Sequence, residues 1–90
     1  MGWTVRFEKA AERDLDRIDP QIVRRVLAFL TGRVAERDDP RSLGEALNGS
    51  ELGEFWKYRV GDYRIVCRLE DAVVTVFVVR VGHRSRVYKQ

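Results

Sequence analysis

The chain has one cysteine and one histidine in 90 residues. Cys67 alone can close no internal disulfide, and one thiol with one imidazole cannot supply the four ligands of a structural zinc site. Carboxylates can in principle bind other cations, but no metal or other cofactor is expected. Long hydrophobic runs are also missing. The longest, Ala72 to Val79, is interrupted by Thr75 and closed by Arg80, far short of the roughly 20 residues that span a bilayer. The N-terminal stretch MGWTVRFEKAAERDLD reaches charge too early to hold the apolar segment of a signal peptide. These absences predict a protein that makes no use of a membrane and works in the cytoplasm. Repeats, low-complexity stretches and linkers are absent too, and a chain this short has room for one core, so residues 1–90 are expected to form a single domain.

What is present is charge, unevenly placed. Residues 1–54 hold nine Lys/Arg against eleven Asp/Glu, whereas residues 55–90 hold eight against three. The C-terminal third is therefore basic, which favours polyanionic partners such as nucleic acid or an acidic protein segment. An ordinary solvated basic surface is the simpler alternative.

Hydrophobic periodicity predicts an α+β fold. TVRF alternates and predicts a first strand over residues 2–7. Ala11, Leu15 and Ile18 follow at helical spacing. Asp19-Pro20 then offers an N-cap acceptor and a proline at the first helical position, where its missing N–H costs nothing. Ile22, Val23, Val26, Leu27, Leu30 and Val34 continue an apolar stripe until the DDP step at Asp38 to Pro40. Two amphipathic helices so closely joined predict an antiparallel helical hairpin lying against a sheet. The stretch RSLGEALNGSELGE reads as a loop pinned by Leu43 and Leu47. From Phe55 the period becomes two: FWKYRV, YRIVCRL and VVTVFVVRV are separated by turns at Gly61-Asp62 and Glu70-Asp71. They predict a three-stranded antiparallel meander, its last strand central because it is apolar on both faces.

Alternation sorts the side chains. Phe55, Lys57 and Arg59 share one face, and Tyr63, Ile65, Cys67 and Leu69 form an apolar face that should meet the helices. Arg64, Val66 and Arg68 then point the other way, and a bulge-free hairpin sets Lys57 and Arg59 across from Arg64 and Arg68. Like charges facing each other destabilise a sheet, so their concentration invites a bound phosphate. Arginine stems lying over apolar surface, with solvated heads, would explain them without a ligand. Trp3 and Trp56 read as core or interface aromatics rather than base-stacking platforms.

The order strand, helical hairpin, glycine-containing loop and meander, with VGDYRIVC at 60–67 and VGHRSRVY at 81–88, resembles the RelE/ParE superfamily of toxins from type II toxin–antitoxin systems. The resemblance covers nearly the whole chain. It implies a RelE-like microbial RNase fold and a metal-independent mRNA endoribonuclease that enters the ribosomal A site and inhibits translation. By motif position it carries Lys57, Arg59, Arg64, Arg84 and Tyr88 over as site residues, with His83 as a further proton carrier. Arg68 and Arg86 join Lys57 and Arg59 as RNA contacts. The resemblance also implies a cognate antitoxin, a toxin–antitoxin hetero-oligomer, and the ribosome and mRNA as partners.

Metal-free RNA cleavage proceeds by attack of the 2′-OH on the adjacent phosphate, giving a 2′,3′-cyclic phosphate and a free 5′-OH. Fixed guanidinium groups stabilise the charge that builds on the non-bridging oxygens. Arg64 and Arg84 are the candidate clamp. His83 and Tyr88 are the candidate proton carriers, with Glu51 or Glu54 as an alternative base. Two other readings stand beside the ribonuclease: a ParE-like toxin that poisons DNA gyrase by binding, and an inactive basic module that only binds RNA or an acidic peptide.

Overall fold

A computed structural model describes residues 2–47 and 55–84. Strand β1, Thr4–Phe7, runs into helix α1, Lys9–Asp16, and helix α2, Pro20–Phe29, follows. Asp19 caps α2 as its position before proline predicts: its side chain accepts from the Gln21 N–H at 2.8 Å, with Pro20 in the first turn. The apolar stripe continues through a π-helical turn at Leu30–Val34. Asp39 then repeats the device, capping a 3-10 turn at Pro40–Leu43 by accepting from the Arg41 N–H.

The next element departs from expectation. Within the stretch read as a loop, Glu45–Ala46 forms a short strand, β2, paired antiparallel with β3, Phe55–Val60. Two residues are too few to show alternation, which is why pattern alone misses it. The meander is completed by β4, Tyr63–Glu70, and β5, Thr75–His83. The five strands lie in the order β1-β5-β4-β3-β2, with β1 parallel to β5 and the other pairs antiparallel. β5 is thus internal, as its two apolar faces predict. It begins two residues later than the pattern suggests, because Asp71–Val73 form a 3-10 turn closed by Val74 in the left-handed region at φ 48°.

The helices cover one face of the sheet, α1 against β5 and α2 against β3, so each buries its stripe mainly on strands rather than on its neighbour. Ala11, Val26, Leu30 and Val34 meet Tyr58, Ile65, Cys67, Leu69, Val76, Val78 and Val81 in the core. The face assigned to Ile65, Cys67 and Leu69 is the one that meets the helices. Burial raises the pKa of the Cys67 thiol, which makes it an inert core residue rather than a nucleophile. No helix among the described residues is long and apolar enough to cross a membrane.

A β-bulge shapes the end of the sheet. Cys67 pairs with Val78, but Val66 pairs with Arg80, so Val79 is an extra residue in β5. The extra residue inverts the alternation beyond it. Without it Arg80 would turn into the core; with it Val81, 2% exposed, takes that place opposite Ile65.

Candidate functional site

The helix-free face begins with the cations of β3 and β4. Arg59 lies directly opposite Arg64, Lys57 opposite Val66, and Phe55 opposite Arg68. Arg59 and Arg64 therefore meet as expected, with Lys57 one step along. Arg68 sits at the other end of the strand pair and does not join them. Val66, nearly buried, provides an apolar floor between the two arginines of β4.

β2 closes one side of this cluster. Glu45 is the cross-strand partner of Lys57, its carboxylate 3.8 Å from the Lys57 Nζ. Gly44 makes the approach possible. A Cβ there would stand 2.4 Å from the Lys57 carbonyl oxygen and 2.7 Å from a Trp56 ring carbon, too close for any side chain. The result is a cleft of about 310 Å³ lined by Ser42, Leu43, Gly44, Glu45, Lys57, Tyr58, Arg59 and Arg64. Sequence reasoning missed Glu45, since its proximity to Lys57 depends on an unforeseen strand. Glu51 and Glu54, the carboxylates it singled out, lie outside the described residues.

Three aromatic side chains hold the segment that leads into β2. Trp3 Nε1 donates to the Asp38 carbonyl at 3.2 Å, Tyr58 OH to the Pro40 carbonyl at 2.9 Å, and Trp56 Nε1 to the Arg41 carbonyl at 3.1 Å. The Arg41 guanidinium in turn donates to both Asp71 oxygens, at 3.1 and 3.4 Å. Trp3 and Trp56 thus have structural roles, as expected. Each half-buried indole and the buried phenol satisfies its polar atom by fixing a backbone carbonyl.

The arginines differ sharply in their partners. The Arg64 guanidinium donates to the Gly61 and Tyr63 carbonyls, both at 3.3 Å, which folds it over the β3–β4 turn without neutralising it. Arg68 is held by Glu8 at 2.8 Å and Glu70 at 2.9 Å and lies 4.7 Å from the Phe77 ring centroid. Its hydrogen bonds to Glu70 and Glu8 raise its pKa above the ordinary arginine value. Among the described residues no carboxylate pairs with Arg59, Arg64 or Arg84. Arg68, proposed from sequence as an RNA contact, is thus built into an ion-pair network that ties the start of α1 to β4.

The bulge decides where the end of β5 delivers its residues. Gly82 pairs with Arg64 on the helix-free face, whereas His83 pairs with Tyr63 on the face that carries the helices. The two rings meet edge to face, centroids 5.6 Å apart. His83 therefore lines a separate cleft beside α1, with Asp14, Arg17 and Ile18, and is not brought together with Lys57, Arg59 and Arg64. Arg84 follows one residue past the strand, where its N–H donates to the Asp62 carbonyl at 2.9 Å and holds its backbone at the β3–β4 turn, over which the Arg64 guanidinium folds. Tyr88 and Arg86 lie outside the described residues. Among the described residues no group of three or more His, Cys, Asp or Glu side chains is placed to hold a metal ion.

Among the described residues, two helices cover one face of a five-stranded sheet whose open face carries a cleft lined by Lys57, Arg59 and Arg64, the architecture of a small α+β protein. A free-state variant of the E. coli toxin RelE superimposes with a TM-score of 0.73 over 92% of this chain and 84% of that one, at 24% identity, a likeness of fold. The toxin–antitoxin complex RelBE2 from Mycobacterium tuberculosis contains a chain that matches with a TM-score of 0.83 and 35% identity, covering 94% of both. In sequence the chain is 36% identical to Toxin RelG of Mycobacterium tuberculosis over the full length of both proteins. The family model of the ParE toxin of the type II toxin–antitoxin system parDE matches residues 5–88. The chain belongs to this RelE/ParE superfamily of type II toxins.

Proposed function

We propose that the chain is a ribosome-dependent mRNA endoribonuclease, restrained in the cytoplasm by a cognate antitoxin. The observation that carries this reading is the open cleft in which Lys57, Arg59 and Arg64 face the carboxylate of Glu45. A protein that acts only by binding has no need of uncompensated guanidinium groups gathered around a proton acceptor. In-line attack of a 2′-OH on its phosphate needs both.

In this mechanism Arg64 and Arg84 donate to the non-bridging oxygens as their charge grows, and Lys57 and Arg59 hold the flanking backbone. Glu45 takes the 2′-OH proton as the O2′–P bond forms. The P–O5′ bond breaks, leaving a 2′,3′-cyclic phosphate, and the departing 5′ oxygen takes a proton from an acid that Tyr88 supplies. His83, on the other face, is not used. Because the cleft is shallow and open, the ribosome completes the site by orienting the mRNA, and isolated protein should cut free RNA poorly.

The relatives solved as toxin–antitoxin complexes support an antitoxin partner and a hetero-oligomer for this chain. The ParE description of the matching family favours a second reading, a gyrase poison without chemistry of its own. One experiment separates the two. Inducible expression in a bacterium, followed by primer extension on translated mRNAs beside an Arg84→Ala control, should show cuts within codons that vanish in the control. Growth arrest with intact mRNA and DNA-damage signalling would assign the protein to gyrase instead.

A further inference from the structure

β1 stops alongside β5 too soon. Its last bond to that strand runs from the Glu8 N–H to the Val78 carbonyl, and past this point, among the described residues, β5 keeps a strand neighbour, β4, on one side only. The exposed edge begins at the bulge, where a strand is most easily deformed. Asp14, in the last turn of α1, fills the gap. One of its oxygens accepts from the Val81 N–H at 2.9 Å and from Arg80 Nε at 2.8 Å, and the other accepts from Arg80 Nη2 at 3.2 Å. Its side chain is 11% exposed. A carboxylate so enclosed, meeting a guanidinium side-on and a strand N–H at once, replaces the missing strand with charge-assisted bonds.

The segment held in this way is the one that leads, three residues on, to Arg84. Among the described residues its other supports are the pairing with β4 and the Arg84 N–H bond to Asp62. We propose that Asp14 is a positioning residue for Arg84: it clamps the bulged strand to α1 and so fixes the strand end that presents Arg84 at the β3–β4 turn. The positional part of this inference stands on the clamp itself; its effect on cleavage rests on the ribonuclease reading above.

The test uses the full chain as wild type, Asp14→Ala and Asp14→Asn. Amide hydrogen exchange at Val81 to Arg84 should accelerate at least about tenfold in Asp14→Ala, while core amides such as Ile65 and Val76 keep their protection. On translating ribosomes kcat for mRNA cleavage should fall on the order of tenfold to a hundredfold with KM nearly unchanged, as for a misplaced catalytic group. Asp14→Asn, which retains an acceptor for the Val81 N–H, should recover part of both losses. The proposal is overturned if Val81 to Arg84 keep their protection without Asp14, if the core loosens equally, or if the strand end loosens while kcat holds. A loosened strand end in a protein whose wild type cuts no mRNA would instead sink the ribonuclease reading and leave the clamp standing.

Discussion

Arg64 and Arg68 sit four residues apart on one strand and face the same side of the sheet, yet the fold treats them oppositely. Arg68 is wedged between Glu8 and Glu70 over the ring of Phe77, its charge matched by two carboxylates. Among the described residues Arg64 donates to the Gly61 and Tyr63 carbonyls alone, and the residue across from it is another arginine. At one end of the face charge has been used to fasten the start of α1 to β4; at the other the two arginines have been left available. A bare cationic pair costs stability in the free protein, a cost that an anionic ligand removes. The contrast teaches that the site is recognised by where neutralisation stops, because arginine content is similar along the whole strand.

The largest expected effect falls on the open end. Replacing Arg64 by Ala should lower in-codon mRNA cleavage by about 10²- to 10³-fold, the usual loss for one donor to a developing oxyanion. Thermal unfolding should barely change, so primer extension and a melting curve run together separate a chemical role from a structural one. Gly44→Ala strikes the close approach of the segment leading into β2 to β3. Its Cβ would collide with the backbone of β3, so about 1–3 kcal/mol of stability should be lost, as in other overpacked sites. Urea unfolding measures this loss, and a stability unchanged within error would refute the proposed close contact of β2 with β3.

Smaller effects probe the neutralised end and the far face. Arg68→Ala should cost about 1 kcal/mol of stability, the value of a partly exposed ion-pair network with good geometry, and leave cleavage nearly intact. If cleavage collapses while the fold persists, the division of the face into joined and open ends is wrong. Tyr58→Phe removes the hydrogen bond to the Pro40 carbonyl and should cost about 1 kcal/mol, measurable by the same urea titration. His83→Ala should alter cleavage by about twofold or less, the scale of a substitution outside the site. A hundredfold loss with the fold intact would return His83 to the chemistry.

Much of this architecture is legible in the residues. The Asp-Pro step announces α2, the apolar parity of Tyr63, Ile65, Cys67 and Leu69 assigns the core face of β4, and Gly61-Asp62 marks its turn. The end of β5 is not legible, for a definite reason. In TVFVVRVGHR both alternating sets are largely apolar, so parity carries no information about where a residue is inserted. The assignment of His83 or Arg84 to the open face hangs on that one insertion. Glu45 escaped notice for a related reason, since its partner Lys57 is reached through a two-residue strand that shows no period.

By itself the sequence determined the helices, the meander, the basic C-terminal third and the isolation of its one thiol, because these follow from local periodicity, turn chemistry and composition. The tertiary structure decided which charges are spent and which are free. That choice rests on contacts between residues far apart in the chain: Glu8 with Arg68, Asp14 with Arg80, Glu45 with Lys57. Coulombic pairing falls off over a few ångströms and takes no account of sequence separation, so only folding brings the partners into range or holds them apart.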